Sequence, residues 1–363
     1  MDTIKQNEYS ILTYFLTRCF FAGVAIHNLT YLARQDSWIS VIIAFIVGII
    51  PFLLFYALLN LEPNLNILDI TLKYCGKVIG TIINFIFIIS VVFHASIVLW
   101  NLSNFINSQF LFKTPILAIS IIFMIPIIYT VSKGLKTIGR TSTILFLTTI
   151  IIYFLSLFLL IGKVELSNIY PMFENGVIPV FDGALITFAY NVIAIYPLLI
   201  IPKNNISENN KLGKSLIKFY LYNFITMFIV IFLIITIFGA PLAILYQYPE
   251  FHILKTVNVA NFFQRVESIL AFQWLFDFAV GLMIFVYFIK TALKQTFSLN
   301  NKFDKPLIFI ISILIIYLST IIFENNTIAY DFLGKTYKYV RVLILFLIPL
   351  IVYIISKLRK NKV

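Results

Sequence analysis

Charge is what this chain has least of. Asp, Glu, Lys and Arg together make up 12% of its 363 residues, about half of the roughly 25% found in soluble domains. A water-soluble fold of this length needs more polar surface than these residues supply, so a soluble globular protein is excluded. Histidine is almost as scarce, with three residues, and there are two cysteines. No Cys or His pair stands at metal-ligand spacing and no glycine-rich phosphate loop occurs, which removes the usual structural-zinc and nucleotide-binding classes. Enzymatic chemistry and a cofactor are therefore not expected. Cys19 falls inside the first apolar run and Cys75 in the first long loop, at different depths, so no disulfide is expected. No repeat of 20–50 residues is visible. No cleavable signal is expected either: the chain opens with Asp2, Lys5 and Glu8, lacks a small-residue cleavage site, and its first apolar run has full span length.

What the chain does have is apolar sequence, 61% of it, in runs long enough for a bilayer. A helical span needs about 20 residues, and lipid admits only structures that satisfy their own backbone. Ten spans are expected, at 9–32, 37–59, 78–106, 115–132, 142–162, 177–201, 215–239, 267–289, 306–323 and 339–357. The third and eighth runs are long enough to tilt or project. The chain thus reads as a single all-α membrane domain.

The formal charge of +12 suggests nucleic acid in a soluble protein. Here it sorts by loop, and no nucleic acid is expected. With the N-terminus inside, eighteen of the 27 Lys and Arg fall in the inner segments and eight in the outer ones, Arg341 and Lys338 among the latter, while Arg18 lies within the first span. That bias puts both termini in the cytoplasm. Two connections carry more than length. Residues 60–77 alternate Leu65, Ile67, Leu68, Ile70 and Leu72 with polar residues, as an amphipathic segment at the inner surface does. Residues 240–266 hold Pro241, Pro249 and apolar residues suited to fold over the outer mouth.

Polar residues at bilayer depth cost several kcal/mol unless they are paired or line a cavity. Arg18, Gly23 and His27 lie in the first span and His94 in the third. Thr187, Tyr190 and Asn191 precede Pro197 in the sixth, where a kink is expected. Asp277 lies in the eighth, after Gln273 and Trp274. Each has two readings. Asp277 either meets a ligand or forms a salt bridge with Arg18. Gly23 marks either a helix break or close packing, and His94 is either a hydrogen-bonded structural residue or a ligand contact or proton relay.

Several spaced motifs carry a resemblance. They are Asp36-Ser37-Trp38-Ile39-Ser40-Val41 at the second span, Gly76-Lys77-Val78-Ile79-Gly80 before the third, and Thr114-Pro115 at the fourth. Tyr129, Gly134 and Arg140 follow, then Pro171-Met172-Phe173-Glu174-Asn175-Gly176 with Pro179-Val180 and Gly183. Tyr248-Pro249, Phe263-Gln264-Arg265-Val266-Glu267 and Trp274 complete the order. Over nearly its whole length the chain resembles the B subunit of bacterial spore germinant receptors, a branch of the amino-acid/polyamine/organocation permease superfamily. The resemblance implies a five-plus-five inverted repeat (about 9–163 and 177–357) with discontinuous first and sixth helices. It implies a pocket between the first, third, sixth and eighth spans, with Gly23, His94, Val98, Tyr190, Asn191, Asp277 and Gly281 around a small germinant such as an amino acid. It also implies a spore inner-membrane location, an A-type membrane subunit and a C-type lipoprotein subunit as partners. The same fold serves an autonomous amino-acid transporter, which is the alternative. The chain departs from the pattern at Tyr190-Asn191, where many relatives carry a Gly-Glu pair, and residues 142–162 hold no lysine.

Overall fold

The computed structural model describes residues 3–256 and 267–360, apart from the side chains of Ile269 and Leu270. Phe263, Gln264, Arg265 and Val266 of the expected motif lie outside the described residues. Ten crossings are present among the described residues. Eight apolar helical segments are long enough to span, and the shorter Ile116–Ser132 makes a ninth. The remaining one is split: α1 (Gln6–Cys19) ends early and α2 (Val24–Ala33) continues it. The backbone then turns at Arg34 (φ 49°) and re-enters through α3 (Ser37–Val47) and α4 (Ile49–Leu61).

The rest follow in order. An amphipathic α5 (Ile67–Cys75) starts where the Asn66 side chain accepts hydrogen bonds from the Leu68 and Asp69 amides. Its buried face packs against α6 (Lys77–Gln109) and the last helix. After α7 (Ile116–Ser132) and α8 (Leu135–Leu160), the sixth span is α9 (Ile178–Tyr190) continued as a 3-10 helix over Val192–Ile200. The expected kink thus falls at Asn191, six residues ahead of Pro197, which sits inside the tighter helix. The seventh span, α10 (Leu212–Ala243), bends at Gly239 (φ 67°). A loop helix, α11 (Pro249–Lys255), leads to α12 (Glu267–Thr296) and α13 (Asp304–Ile321). The tenth span runs from α14 (Asn326–Asp331) through α15 (Lys338–Val342) to α16 (Ile348–Lys360), with π-helical turns at Phe332–Tyr337 and Leu343–Leu347.

That tenth span starts thirteen residues earlier than expected, which corrects the reading of two cations. Lys338 and Arg341 are buried in the bundle and are not outer-loop residues. The all-α expectation also gains a small amendment, a parallel ladder of Ile4–Lys5 with Ile206–Ser207.

Span one is central. α1 packs on α8, α10 and α12, while α9 packs on α2, α3 and α15. Small residues allow the close approaches: a Cβ on Gly183 meets Ser40 Oγ at 2.7 Å, and one on Gly281 meets Cys19 Sγ at 2.5 Å. The opposite surfaces stay apolar. On α8, Ile144, Leu147, Ile151, Phe154 and Phe158 are exposed at helical spacing, the stripe a helix shows to lipid. Together the ten spans, with the first and sixth broken, form the five-plus-five arrangement of the amino-acid permease type.

Candidate functional site

Where a helix breaks inside a bundle, its backbone groups must find other partners. In the first span Gly23 takes φ +79°, a conformation glycine adopts without strain. The N–H of Gly23 donates to Glu250 Oε1 at 2.8 Å, and the C=O of Ala22 accepts from Asn101 Nδ2 at 2.9 Å. The break in the sixth span is served in the same way. Asn191 Nδ2 donates to Thr17 O at 3.2 Å, and its Oδ1 accepts from Asn223 Nδ2 at 2.6 Å. Arg341 Nε donates to Ala189 O at 2.7 Å, placing a cation at the C-terminus of α9, where the helix dipole favours one. The Arg341 guanidinium also lies 4.2 Å from the Phe20 ring and 5.1 Å from the Tyr190 ring.

Beside these breaks is a cavity of about 10 Å³ lined by Phe20, Val24, Ala25, Val98, Asn101 and Tyr190, with Ile97 and Leu333. The surrounding side chains leave roughly one water's width. It is therefore closed in this conformation. Asn101 contributes a buried Oδ1 that makes no hydrogen bond. The Phe20 and Tyr190 rings stack at 5.2 Å. Tyr190 is pinned by its hydroxyl, which donates to Leu333 O at 2.6 Å. His94 adjoins this wall, 5.4 Å from Phe20 between ring centroids. Its Nδ1 lies 2.5 Å from Ser90 O and 2.7 Å from the Tyr337 hydroxyl, while Nε2 has no partner.

The expected residues thus divide. Val98 and Tyr190 line the cavity. Gly23 stands at its edge, since a Cβ there meets Asn101 Oδ1 at 3.1 Å, and His94 stands one ring behind. Asn191 turns to the first and seventh spans, and Gly281 packs on Cys19. Asp277 Oδ2 accepts from Arg18 Nε at 2.9 Å with both side chains buried. Sequence reasoning passed over Phe20, Asn101, Tyr337, Arg341 and Glu250. Glu250 had a signal, because it is the one acidic residue from Gly239 to Val266 and follows the Tyr248-Pro249 motif. Asn101 had one too, one helical turn beyond Val98.

A second cavity, of about 40 Å³, lies on the other side of the first span. Arg18, Ala22, Ser156, Glu250, Gln273 and Trp274 line it, within walls of Leu, Ile, Val and Met. It leaves space for roughly three waters. Arg18 Nη1, Ser156 Oγ, Glu250 Oε2 and both amide atoms of Gln273 are buried there without hydrogen-bond partners. No group of three or more His, Cys, Asp or Glu suited to a metal occurs among the described residues.

Known proteins agree with this architecture and show the family. A family model described as "Spore germination protein" matches residues 10–328. The chain is 24% identical over 334 residues to spore germination protein YndE of Bacillus subtilis (strain 168), covering 90% of this chain and 88% of that protein. To spore germination protein XB of Bacillus anthracis it is 22% identical over 331 residues, or 90% of each. To spore germination protein KB of Bacillus subtilis (strain 168) it is 21% identical over 238 residues, 65% of this chain and 64% of that protein. Among solved structures, MhsT in complex with L-phenylalanine superposes over 99% of both chains, with a TM-score of 0.63 at 14% identity.

Proposed function

This chain belongs to the spore germination protein family, and on that premise we propose that it is the B subunit of a spore germinant receptor. It binds a small nutrient, of which an amino acid is the first candidate, and passes the signal to an A-type membrane subunit and a C-type lipoprotein subunit. It sits in the spore inner membrane with both termini in the cytoplasm and catalyses no reaction of its own. The observation that carries this reading is the closed cavity at the adjoining breaks of the first and sixth spans. Backbone turned out of a helix, with Asn101 Oδ1 unpaired beside it, offers a small polar ligand what a continuous apolar helix withholds. The relatives named spore germination proteins support the receptor role, and a similar fold holding L-phenylalanine supports an amino-acid ligand.

In this reading the germinant site comprises Gly23, His94, Val98 and Tyr190, with Asn191, Asp277 and Gly281 holding the surrounding helices. Ligand binding shifts the bundle between two arrangements whether or not cargo crosses. Deleting the chain should abolish the spores' response to its germinant and leave vegetative uptake of that nutrient unchanged. A clear uptake defect in growing cells, or uptake by the purified protein in liposomes, would establish the autonomous transporter instead. Within the receptor, Gly23→Val is the sharpest probe. Its side chain meets Asn101 Oδ1 and the Tyr248 ring at 3.1–3.3 Å and must take a left-handed φ. The half-maximal germinant concentration should rise at least tenfold with the protein still present in the membrane.

A further inference from the structure

At the break in the first span the Gly23 N–H finds its partner outside its own helix. A free carboxylate binds well to such a donor, because N–H groups that open a helix favour anions. In this structure that donor is taken by the chain itself, through Glu250 Oε1 at 2.8 Å. Glu250 comes from the 240–256 loop and is 3% exposed. The loop is held over the break at further points. The Tyr248 ring lies 3.3 Å from where a Gly23 Cβ would be, the Tyr248 hydroxyl accepts from Asn104 Nδ2 at 2.9 Å, and His27 Nδ1 lies 2.9 Å from Tyr246 O.

The second oxygen of the same carboxyl belongs to the cavity behind the first span. There Glu250 Oε2 has no partner, and neither do Arg18 Nη1, Ser156 Oγ or the Gln273 amide. Buried polar atoms are normally satisfied, and several orphans in one cavity mark a place built to receive a polar group. Two of them, Arg18 Nη1 and Gln273 Nε2, are the donors a carboxylate needs.

We propose that Glu250 is a tethered carboxyl that closes the germinant site, exchanging between the Gly23 N–H and the Arg18–Gln273 cavity. A ligand carboxylate arriving at Gly23 replaces Glu250 there. Glu250 then moves to the two free donors, the hold on α11 is released, and the loop lifts. The exchange trades one carboxyl oxygen for another on a single N–H, so modest differential affinity suffices to move it. It rests on the ligand site being at the break, and it gives that site a built-in competitor.

The test reads the latch without knowing the ligand. Ala22→Cys is made in the chain with Cys19→Ala and Cys75→Ser, reconstituted in nanodiscs, and labelled with a charged methanethiosulfonate. Ala22 is buried beside the second cavity, so labelling is slow with the loop closed. Adding Glu250→Ala should speed labelling at least tenfold, with the melting temperature within a few degrees of the parent. Glu250→Gln keeps an oxygen for Gly23 and should stay within threefold. Should Glu250→Ala not be recovered folded, Glu250→Asp, one methylene short of the donor, must raise the rate. Labelling at the parent rate overturns the latch, as does faster labelling accompanied by a general loss of thermal stability. Spores carrying Glu250→Ala should germinate at about tenfold lower germinant concentration. Faster labelling with an unchanged dose–response would leave the latch standing and overturn its link to germinant sensing.

Discussion

Removing the Asp277 carboxylate is the perturbation whose size the structure states most directly. Arg18 Nε and Asp277 Oδ2 lie 2.9 Å apart, with side-chain exposures of 4% and 0%. The Arg18 guanidinium also lies 5.5 Å from the Tyr14 ring. Breaking a buried pair from one side leaves an uncompensated charge and costs about 3–5 kcal/mol, whereas replacing both partners by apolar residues of like volume is often neutral or better. Asp277→Asn should therefore lower the folded-to-unfolded ratio by roughly two to three and a half powers of ten. In cells this appears as loss of the membrane-embedded protein. Arg18→Met should do the same, and Arg18→Met with Asp277→Leu should recover most of the loss. The assay is membrane abundance by immunoblot, with the melting temperature of detergent-solubilised protein beside the germinant dose–response. Asp277→Asn at normal abundance and melting temperature, with only the half-maximal concentration shifted, would refute the argument and return Asp277 to the ligand.

Three further outcomes are expected. Gly281→Ala places a methyl 2.5 Å from Cys19 Sγ and 2.7 Å from its Cβ. Overpacking of this kind costs about 1–3 kcal/mol, and Cys19→Ala should restore part of it, as a double-mutant cycle of melting temperatures will show. Burial pushes the Glu250 carboxyl up to about 8, against the pull of the Gly23 N–H and Arg18, while on a lifted loop it titrates near 4.5. The closed loop binds the extra proton, so its advantage is full below about pH 4.5 and is lost as pH rises toward 8. The groups around it are Arg18 with Asp277, Tyr153, Tyr248 and Tyr330. Labelling of Ala22→Cys, corrected for thiolate fraction, should rise from pH 6 to 8 with Glu250 and stay flat with Glu250→Gln. Reporter fusions at 203–214 and 290–305 should read cytoplasmic and fusions at 245–256 external, and an external reading at 203–214 would discard the orientation.

Span positions were legible because hydropathy is a local property and bilayer thickness sets one length for every crossing. Gly23 by itself left the first helix open between a break and close packing, the family resemblance implied the break, and the structure gives this glycine φ +79°, which glycine takes at little cost. The sixth was legible less well. Pro197 drew attention, but the helix gives way at Asn191, whose side chain finds Thr17 O and Asn223 in other spans. Likewise, Arg341 reads as a loop cation because it stands at the very start of the expected tenth span, beside Lys335 and Lys338. The tenth span starts earlier, and its π-helical turns lie on either side of the segment that brings Arg341 to the α9 carboxyl end.

The sequence by itself determined that a carboxylate and a guanidinium at bilayer depth need partners, since lipid supplies none. That these two meet across 259 positions, that Glu250 reaches Gly23 across 227, and that one glycine break stands between two cavities, only the tertiary structure decided. Partner choice depends on which helix faces come together, and that follows from where ten packed helices turn and break, a property no single run of residues contains.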